Sequence, residues 1–510
     1  MNLKLKSSKG ITLIALVVTI IVLLILAGIS INALAGQNGI LNKTIEAKEK
    51  TNSGQRQEKL ELSNMEELID ENLDETGTSI EKTDDTYPGE LEKESDDIFV
   101  INSIEDLVFF AYDVKNGNAY EGKTVKLGKS LDFNSNKSYV DAFRVDYAKY
   151  GYDGELKTLL TSGNGFLPIG SMNDGNINAN YFKGIFDGQK NKIYNLYQNF
   201  DQSDVIAIYG LFGTNQGNIC KLSVENINVN CTTSNMHVLY GGIAGRNTSI
   251  IEECSVSGNI KFTSNGKNGN YIGGIVGQNF GTIQKSYSKV NTYIIGGDNQ
   301  KQSLSIGGIA GANYEKIKLC YNIGNILLNM DNIEDLSISG IGGGGNITNC
   351  YNVGKIQKKN INSQKNAAQI IYISGIGGDK EIASNYNIGT IDVETNNGGY
   401  VSGIGCIIKD NIIFENCYNV GKITSNSENI LVGALTGWTT NQKIENCKWL
   451  KGTANAAIAN KGSAVEDNSK MVDEINEMPS IISIVGNDFI EDYTNINGGY
   501  PILEWQKNWL

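Results

Sequence analysis

Residues 272–290 read IGGIVGQNFGTIQKSYSKV, and 34 residues later the chain repeats itself as IGGIAGANYEKIKLCYNIGNI, residues 306–326. The first half of this unit is an apolar-glycine element. It recurs as YGLFG from Tyr209, YGGIAG from Tyr240, SGIGG from Ser339 and Ser374, SGIGC from Ser402 and LVGALTG from Leu431. The second half carries a Cys-Tyr-like step at Cys220, Cys254, Ser286, Cys320, Cys350, Asn385, Cys417 and Cys447, a period of 30 to 35 residues. A fixed period of this size marks supersecondary units that bury their apolar face only by stacking on one another. Composition decides what the unit is. Isoleucine and valine favour strands, asparagine and glycine favour the turns between them, and glycine costs roughly 1 kcal/mol inside a helix. Propeller blades usually need four strands and about 40 or more residues. The expectation is therefore all-β: a β-solenoid of about eight repeats over residues 204–455.

Two columns follow from the repeat. The Cys, Ser and Asn positions above form one ladder. Tyr287, Tyr321, Tyr351, Tyr386 and Tyr418 come next, followed by Asn322, Asn352, Asn387 and Asn419. Successive strand residues point to opposite faces, so cysteines and tyrosines face opposite ways. Outward tyrosines would form an aromatic stripe suited to glycans or proteins; inward ones would be core, and the core reading is preferred. A bend at Gly324 or Gly354 reconciles the two phases. Three cysteine pairs fall on neighbouring rungs, 220–254, 320–350 and 417–447. Parallel Cβ atoms at strand spacing are poorly placed for bridging, so free thiols are expected. Polar inserts of varying length between repeats, such as Lys261–Asn270, are expected as edge loops.

Around the repeats the chain changes character. Residues 98–203 read as a cap and first rungs. There SIEDLVFFAYDVKNG predicts a short helix, started by Ser103 and stopped by Gly117, before short strands at GKTVKL and LDF. Residues 456–510 read as a C-terminal cap. Residues 58–97 hold 16 Asp and Glu against three Lys, a net −13 that equals the charge of the whole chain. Such a run stays solvated and resists compact folding, so it reads as an acidic linker. Residues 11–57 begin with an apolar run from Ile11 to Ala27, broken only by Thr12 and Thr19 and continuing through Ile29. Lys4, Lys6 and Lys9 precede it. This is the length and flank of a membrane-crossing helix over 11–29, with its positive end inside and the rest of the chain outside. Ala33-Leu34-Ala35 is the alternative, an ordinary signal-peptide cleavage site.

Two resemblances sharpen this. The junction KG/ITLIALVVTII resembles a type IV prepilin leader over residues 1–10. That resemblance implies cleavage by a prepilin peptidase after Gly10, methylation of Ile11, and retention of the helix in a membrane or a pilus or pseudopilus. The family usually has a glutamate at the fifth mature position; this chain has Ala15, which implies a minor or membrane-resident subunit. The repeat resembles the GLUG type of bacterial surface proteins, on Gly273-Gly274-Ile275-Val276-Gly277, Asn279, Gly281, Ile283 and Tyr287. The tail NINGGYPILEWQ, Asn495–Gln506, resembles the usual ending of such domains. Relatives implied by this resemblance include adhesins and domains attached to a zinc peptidase that cleaves immunoglobulin A.

Signs of catalysis are sparse. The chain has one histidine, His237, in a polar insert, and no HExxH zinc motif. No metal or cofactor is expected. Asp132, Asp187, Asp379 and Asp410 are the carboxylates that glycan hydrolysis would have to pair, and Asp187 sits in an FDG turn. The repeats lack the lysine and arginine concentration that nucleic-acid binding needs. The expected role is non-catalytic adhesion or display at the cell surface or on a pilus, binding host or environmental protein or glycan. The alternatives are a glycan-degrading solenoid enzyme and a purely structural pseudopilin or secretion-system subunit.

Overall fold

The computed structural model describes residues 90–135, 150–151, 154–170, 180–202, 206–233, 237–264, 269–296, 302–330, 333–359, 370–408, 412–473, 488–492 and 495–508. The described residues all lie in one compact unit, Thr86–Leu510. Gly10, Ile11, Ala15, the apolar span 11–29 and Asp410 lie outside them. Among the described residues no helix is long and apolar enough to cross a membrane.

This unit is a β-solenoid. One coil shows the pattern. Strand Val238–Gly241 joins an eight-stranded parallel sheet, Ala244–Asn247 a five-stranded one, Ile250–Glu252 a 13-stranded one and Ser255–Ser264 a 16-stranded one. A sharp Gly-Gly-Ile corner and two polar turns connect them. In the 13-stranded sheet each three-residue strand offers one apolar residue to the interior. Phe186, Ile219, Ile251, Ile283, Ile317, Ile347, Ile382, Phe414 and Ile444 stack in register. All are fully or almost fully buried. Burying a side chain of this kind is worth about 1.5–3 kcal/mol, so the column is a large part of what holds the coils together.

The turns close with asparagine. At the end of the five-stranded sheet, Asn215, Asn247 and Asn279 each donate Nδ2 to the Oδ1 of the next, Asn247, Asn279 and Asn313, at 2.8–2.9 Å. A second ladder runs Asn322, Asn352, Asn387, Asn419 at 2.8–2.9 Å. Each rung also closes its own turn: Asn322 accepts from Gly324 N (3.1 Å) and donates to Gly324 O (2.9 Å). A Cβ on Gly324 would lie 2.0 Å from Val290 O of the coil below, so this bend needs glycine for coil-to-coil approach. These buried amides would be costly without partners; the ladder supplies one on every rung.

The boundaries differ from expectation in three places. The acidic linker does not run to residue 97, because Glu92–Ser95 forms an exposed edge strand antiparallel to Ile98–Ile101. Its EKES sequence is a charged edge of the sort that discourages further pairing. The inserts are not loops throughout, since strands Ser255–Ser264, Tyr287–Gly296 and Gln302–Gly307 extend into them. The C-terminal region does two things. Ile458–Lys461, Glu466–Asp467 and Lys470–Val472 complete a last coil. Residues 488–492 and 495–508 instead lie along the flank of the 16-stranded sheet, so they are not an end cap.

At the other end the helix Ile104–Lys115 starts as its sequence requires. Ser103 Oγ accepts from Asp106 N (3.1 Å) and Asp106 Oδ2 accepts from Asn102 N (2.8 Å), and Gly117 follows its end with φ +111°. Its Leu107, Phe110 and Val114 join the core of the first rungs, with Phe110 5.5 Å from Phe182 and 6.0 Å from Phe186 between ring centroids.

Candidate ligand-binding face

The inner ladder is a hydrogen-bonding device. Each residue before it has a left-handed backbone, including Glu253 (φ +54°), Leu319 (+55°) and Asn416 (+54°), which turns the next side chain inward. There the thiol donates to the carbonyl two residues back: Cys254 to Glu252 (3.3 Å), Cys320 to Lys318 (3.2 Å), Cys350 to Thr348 (3.2 Å), Cys417 to Glu415 (3.1 Å) and Cys447 to Glu445 (3.2 Å). Ser286 Oγ makes the same bond to Gln284 O (2.8 Å), and Asn385 Nδ2 donates to Ile347 O (2.7 Å). From Cys254 onward the position takes a small inward donor, Cys, Ser or Asn. None of the eight cysteines is in a disulfide. Burial pushes the thiols of Cys254, Cys350 and Cys417 well up from their ordinary range, the setting of inert rather than reactive cysteine.

Cys220 does not belong to that column. It pairs with Glu252, and Ser223 pairs with Ser255, so Leu222 is the residue level with Cys254. The left-handed turn falls at Lys221 (φ +50°) and Cys220 ends its strand two positions too early. It is half-buried, and burial, then Asp187, push its thiol up to about 11.

The tyrosines point outward, against the preferred core reading. Cys320 and Asn322 are buried in the solenoid, and Tyr321 between them is not part of that core. Tyr287, Tyr321, Tyr351, Tyr386 and Tyr418 stack ring on ring, with centroids 4.7, 4.8, 4.9 and 4.9 Å apart and planes within 9°. That spacing is the strand spacing of a sheet; the backbone imposes the stack.

Most of this stripe is already covered. Phe489, Leu503 and Val472 form a second small core with Tyr386 and Tyr418, which are 1% and 0% exposed. The tyrosine hydroxyls are claimed too. Tyr386 Oη bonds Gln506 Oε1 (3.0 Å), and Tyr418 Oη donates to Pro501 O and accepts from Asn497 Nδ2 (2.9 Å). Trp505 lies 6.3 and 5.8 Å from the rings of Tyr321 and Tyr351 and donates Nε1 to Asn349 O (3.1 Å). Burial holds the Tyr386 and Tyr418 phenols far above their ordinary range. Tyr287 stands at the other end of the stack. It lines an open cavity of about 440 Å³ with Lys190, Lys221, Glu253 and Lys285.

A second aromatic pair lies on another flank, at the corner after the five-stranded sheet. Phe280 and Tyr314 follow Asn279 and Asn313 and stack at 4.5 Å with planes 6° apart, 43% and 41% exposed. Arg246, bonded to Gln278 Oε1 (3.0 Å), lies 5.7 Å from the Phe280 ring. The next coil breaks the pattern. Ala310 pairs with Gly342, Ala312 with Gly343 and Lys316 with Asn346, so that coil is two residues short. Gly344 (φ +88°) and Gly345 (φ +65°) stand where the asparagine and aromatic would be. The asparagine ladder ends there, with Asn313 Nδ2 donating to Gly344 O (3.0 Å). The result is a notch of about 250 Å³ beside Tyr314, bounded by Tyr271, Ser305, Ser337, Asp379 and Lys380. Asp379 Oδ1 accepts from Gly345 N (2.7 Å), and Lys380 Nζ donates to Tyr314 O (2.8 Å). Burial, then the hydrogen-bonded Tyr271 hydroxyl, hold the Tyr314 phenol above its ordinary range.

The other carboxylates serve their own turns. Asp132 Oδ1 accepts from Asn134 N (2.9 Å) and Asn195 Nδ2 (2.7 Å), and Asp187 Oδ1 from Gln189 N (3.0 Å). His237 Nδ1 meets Gly269 O at 2.9 Å on the surface. Among the described residues no group of three or more His, Cys, Asp or Glu is placed to hold a metal ion.

No family model matches the sequence, and no curated protein matches it. Among solved structures, a Bacteroides ovatus protein described as a "putative immunoglobulin A1 protease" is similar over 80% of this chain and 92% of that one, at 15% identity and a TM-score of 0.34. At that score the likeness carries no argument about fold or function; the strand register alone establishes the β-solenoid.

Proposed function

We propose that this protein is a non-catalytic recognition subunit displayed at the cell surface or on a pilus-like assembly. The prepilin-like segment, cut by a prepilin peptidase after Gly10 and methylated at Ile11, anchors it through residues 11–29. The solenoid is the part that meets protein or glycan outside the cell. A β-solenoid accommodates binding and glycan-processing roles alike. The observation that favours binding is the exposed Phe280–Tyr314 pair beside a notch with polar walls. Flat rings left in solvent next to a few placed polar groups suit recognition of a ligand with an apolar face and a polar rim. The local engagement of Asp132, Asp187 and Asp379 in separate turns favours it over a paired-carboxylate mechanism.

The test compares cells expressing the full chain with cells expressing a chain ended before the solenoid, on arrays of glycans and extracellular proteins. Capture by the first and not the second is expected; equal capture, or none, overturns the reading. Mass spectrometry of the N-terminus from membrane and sheared surface fractions tests the anchor. Methylated Ile11 is expected. A start near Gly36 would mean ordinary signal-peptide cleavage and would remove the pilus part of the proposal.

A further inference from the structure

The notch beside Tyr314 is specific enough to name the chemistry of its occupant. Tyr314 gives one ring face to Phe280, 4.5 Å away, and the other to the notch. Coil by coil, the notch is the next position of that stack. Its floor is the backbone of Gly343–Gly345, and left-handed φ values at Gly344 and Gly345 keep both positions glycine. A Cβ at Gly343 would stand 3.3 and 3.4 Å from the hydroxyls of Ser305 and Ser337. A Cβ at Gly344 would stand 3.5 Å from Asp379 Oδ2, while Asp379 Oδ1 is tied to Gly345 N. One aromatic wall therefore faces a ring-sized space rimmed by two hydroxyls and a carboxylate oxygen.

We infer that this notch binds a single neutral pyranose residue of a glycan, its C–H face stacked on Tyr314 and its hydroxyls bonded to Asp379 Oδ2, Ser305 and Ser337. The volume, about 250 Å³, is below the range of sites for drug-sized ligands and suits one ring. An aromatic side chain of a protein ligand would fit the wall but offer at most one hydrogen-bond partner to Asp379 Oδ2, the Ser337 hydroxyl and Ser305 Oγ, whose proton already goes to Gly311 O (2.7 Å). An acidic sugar would bring like charge against the Asp379 Oδ2 it has to bond, while the Lys380 ammonium, which donates to Tyr314 O, keeps its positive charge at the rim. This inference rests on the recognition reading above and narrows it to one site and one ligand class.

Saturation-transfer NMR on the full chain tests it, with the methyl pyranosides of glucose, galactose, mannose and N-acetylglucosamine as probes. Transfer to sugar ring protons is expected for at least one. Tyr314→Ala and Asp379→Asn are each expected to weaken that binding at least tenfold. Asp379→Asn retains an oxygen for Gly345 N, so its melting temperature should match the parent and isolate the ligand effect from folding. Parent-like binding in both variants overturns the site. Binding of N-acetyltyrosinamide through the same residues, with no glycoside binding, overturns the ligand class. If no glycoside binds while the array test still shows capture, the pyranose inference fails and the recognition reading stands. If neither binds, both fail.

Discussion

Two aromatic stacks run along the outside of one solenoid, and the chain treats them differently. The five-tyrosine column on the 16-stranded sheet is largely covered by the tail residues Phe489, Leu503 and Trp505, down to 0% exposure at Tyr418. The Phe280–Tyr314 pair is left about two-fifths exposed. Length explains the difference. A repeat that places tyrosine on five successive coils builds an apolar stripe too large to leave in water, and large exposed apolar patches are rare unless they bind something. Here the partner is the chain's own tail. Two rings flanked by Arg246 and a polar notch make a small patch of the kind that surfaces tolerate. Covered aromatics thus serve stability, and open aromatics are available to a ligand.

The strongest way to break this contrast is to remove the tail. Ending the chain after Asp473 strips Phe489, Leu503 and Trp505 from the tyrosines, and burial at about 1.5–3 kcal/mol per large side chain puts the loss on the order of 5 kcal/mol. Calorimetry should show a markedly lower melting temperature, with new binding of a hydrophobic dye. By contrast, Phe280→Ala should cost only about 0.5–1.5 kcal/mol, the value of one aromatic pair. Equal losses would mean that the tail is not a structural cover.

Single hydroxyls give a finer comparison. Tyr418→Phe removes the partner of Asn497 Nδ2 and Pro501 O in a buried site, a cost of about 1–3 kcal/mol. Tyr314→Phe keeps the ring and its half-exposed setting, and should stay within about 0.5 kcal/mol. Chemical denaturation of the two variants decides between them.

Alkaline titration reads the same contrast through protons. Burial raises Tyr386 and Tyr418 in the folded state above the value of about 10 for an exposed tyrosine. The folded chain then holds protons that the unfolded chain releases. Their contribution to stability is whole below about pH 10 and is lost as pH rises towards the folded values. Unfolding midpoints should fall above about pH 10, and Tyr418→Phe should flatten that fall. A slope unchanged by the substitution would contradict the burial of this phenol.

The smallest effect concerns the inner column. With a maleimide under native conditions, Cys220 should label first, because it lies outside the ladder and is half-buried. The six thiols at Cys231, Cys254, Cys320, Cys350, Cys417 and Cys447 should label only on unfolding. Rapid labelling at Cys350 or Cys417 would mean that the coils open there.

Much of this was legible in the residues. The 30–35-residue period and the isoleucine, asparagine and glycine positions led to a solenoid, and strand alternation placed cysteine and tyrosine on opposite faces. Which face was inside was not legible from alternation alone. The signal lay in the isoleucine column, because every inner-ladder residue follows a buried apolar residue by three. The pairs Ile251–Cys254 and Phe414–Cys417 show it, and Ile219–Leu222 would have excluded Cys220. The tail was missed because Trp505 meets a carbonyl 156 residues away, a contact without local trace. The notch was missed because Gly342–Gly345 looks like one more glycine-rich repeat. Only alignment on Asn313-Tyr314 shows that a buried asparagine and an outer aromatic have both been replaced by glycine.

The most direct test of the covered and open stacks is hydroxyl-radical footprinting of the full native chain, read by mass spectrometry at each aromatic residue. Phe280 and Tyr314 should be modified at least tenfold faster than Tyr386 and Tyr418. Comparable rates at the two stacks, or faster modification of Tyr386 and Tyr418, would show that the tail does not cover the tyrosine column, and the division between structural and ligand-facing aromatics would be wrong.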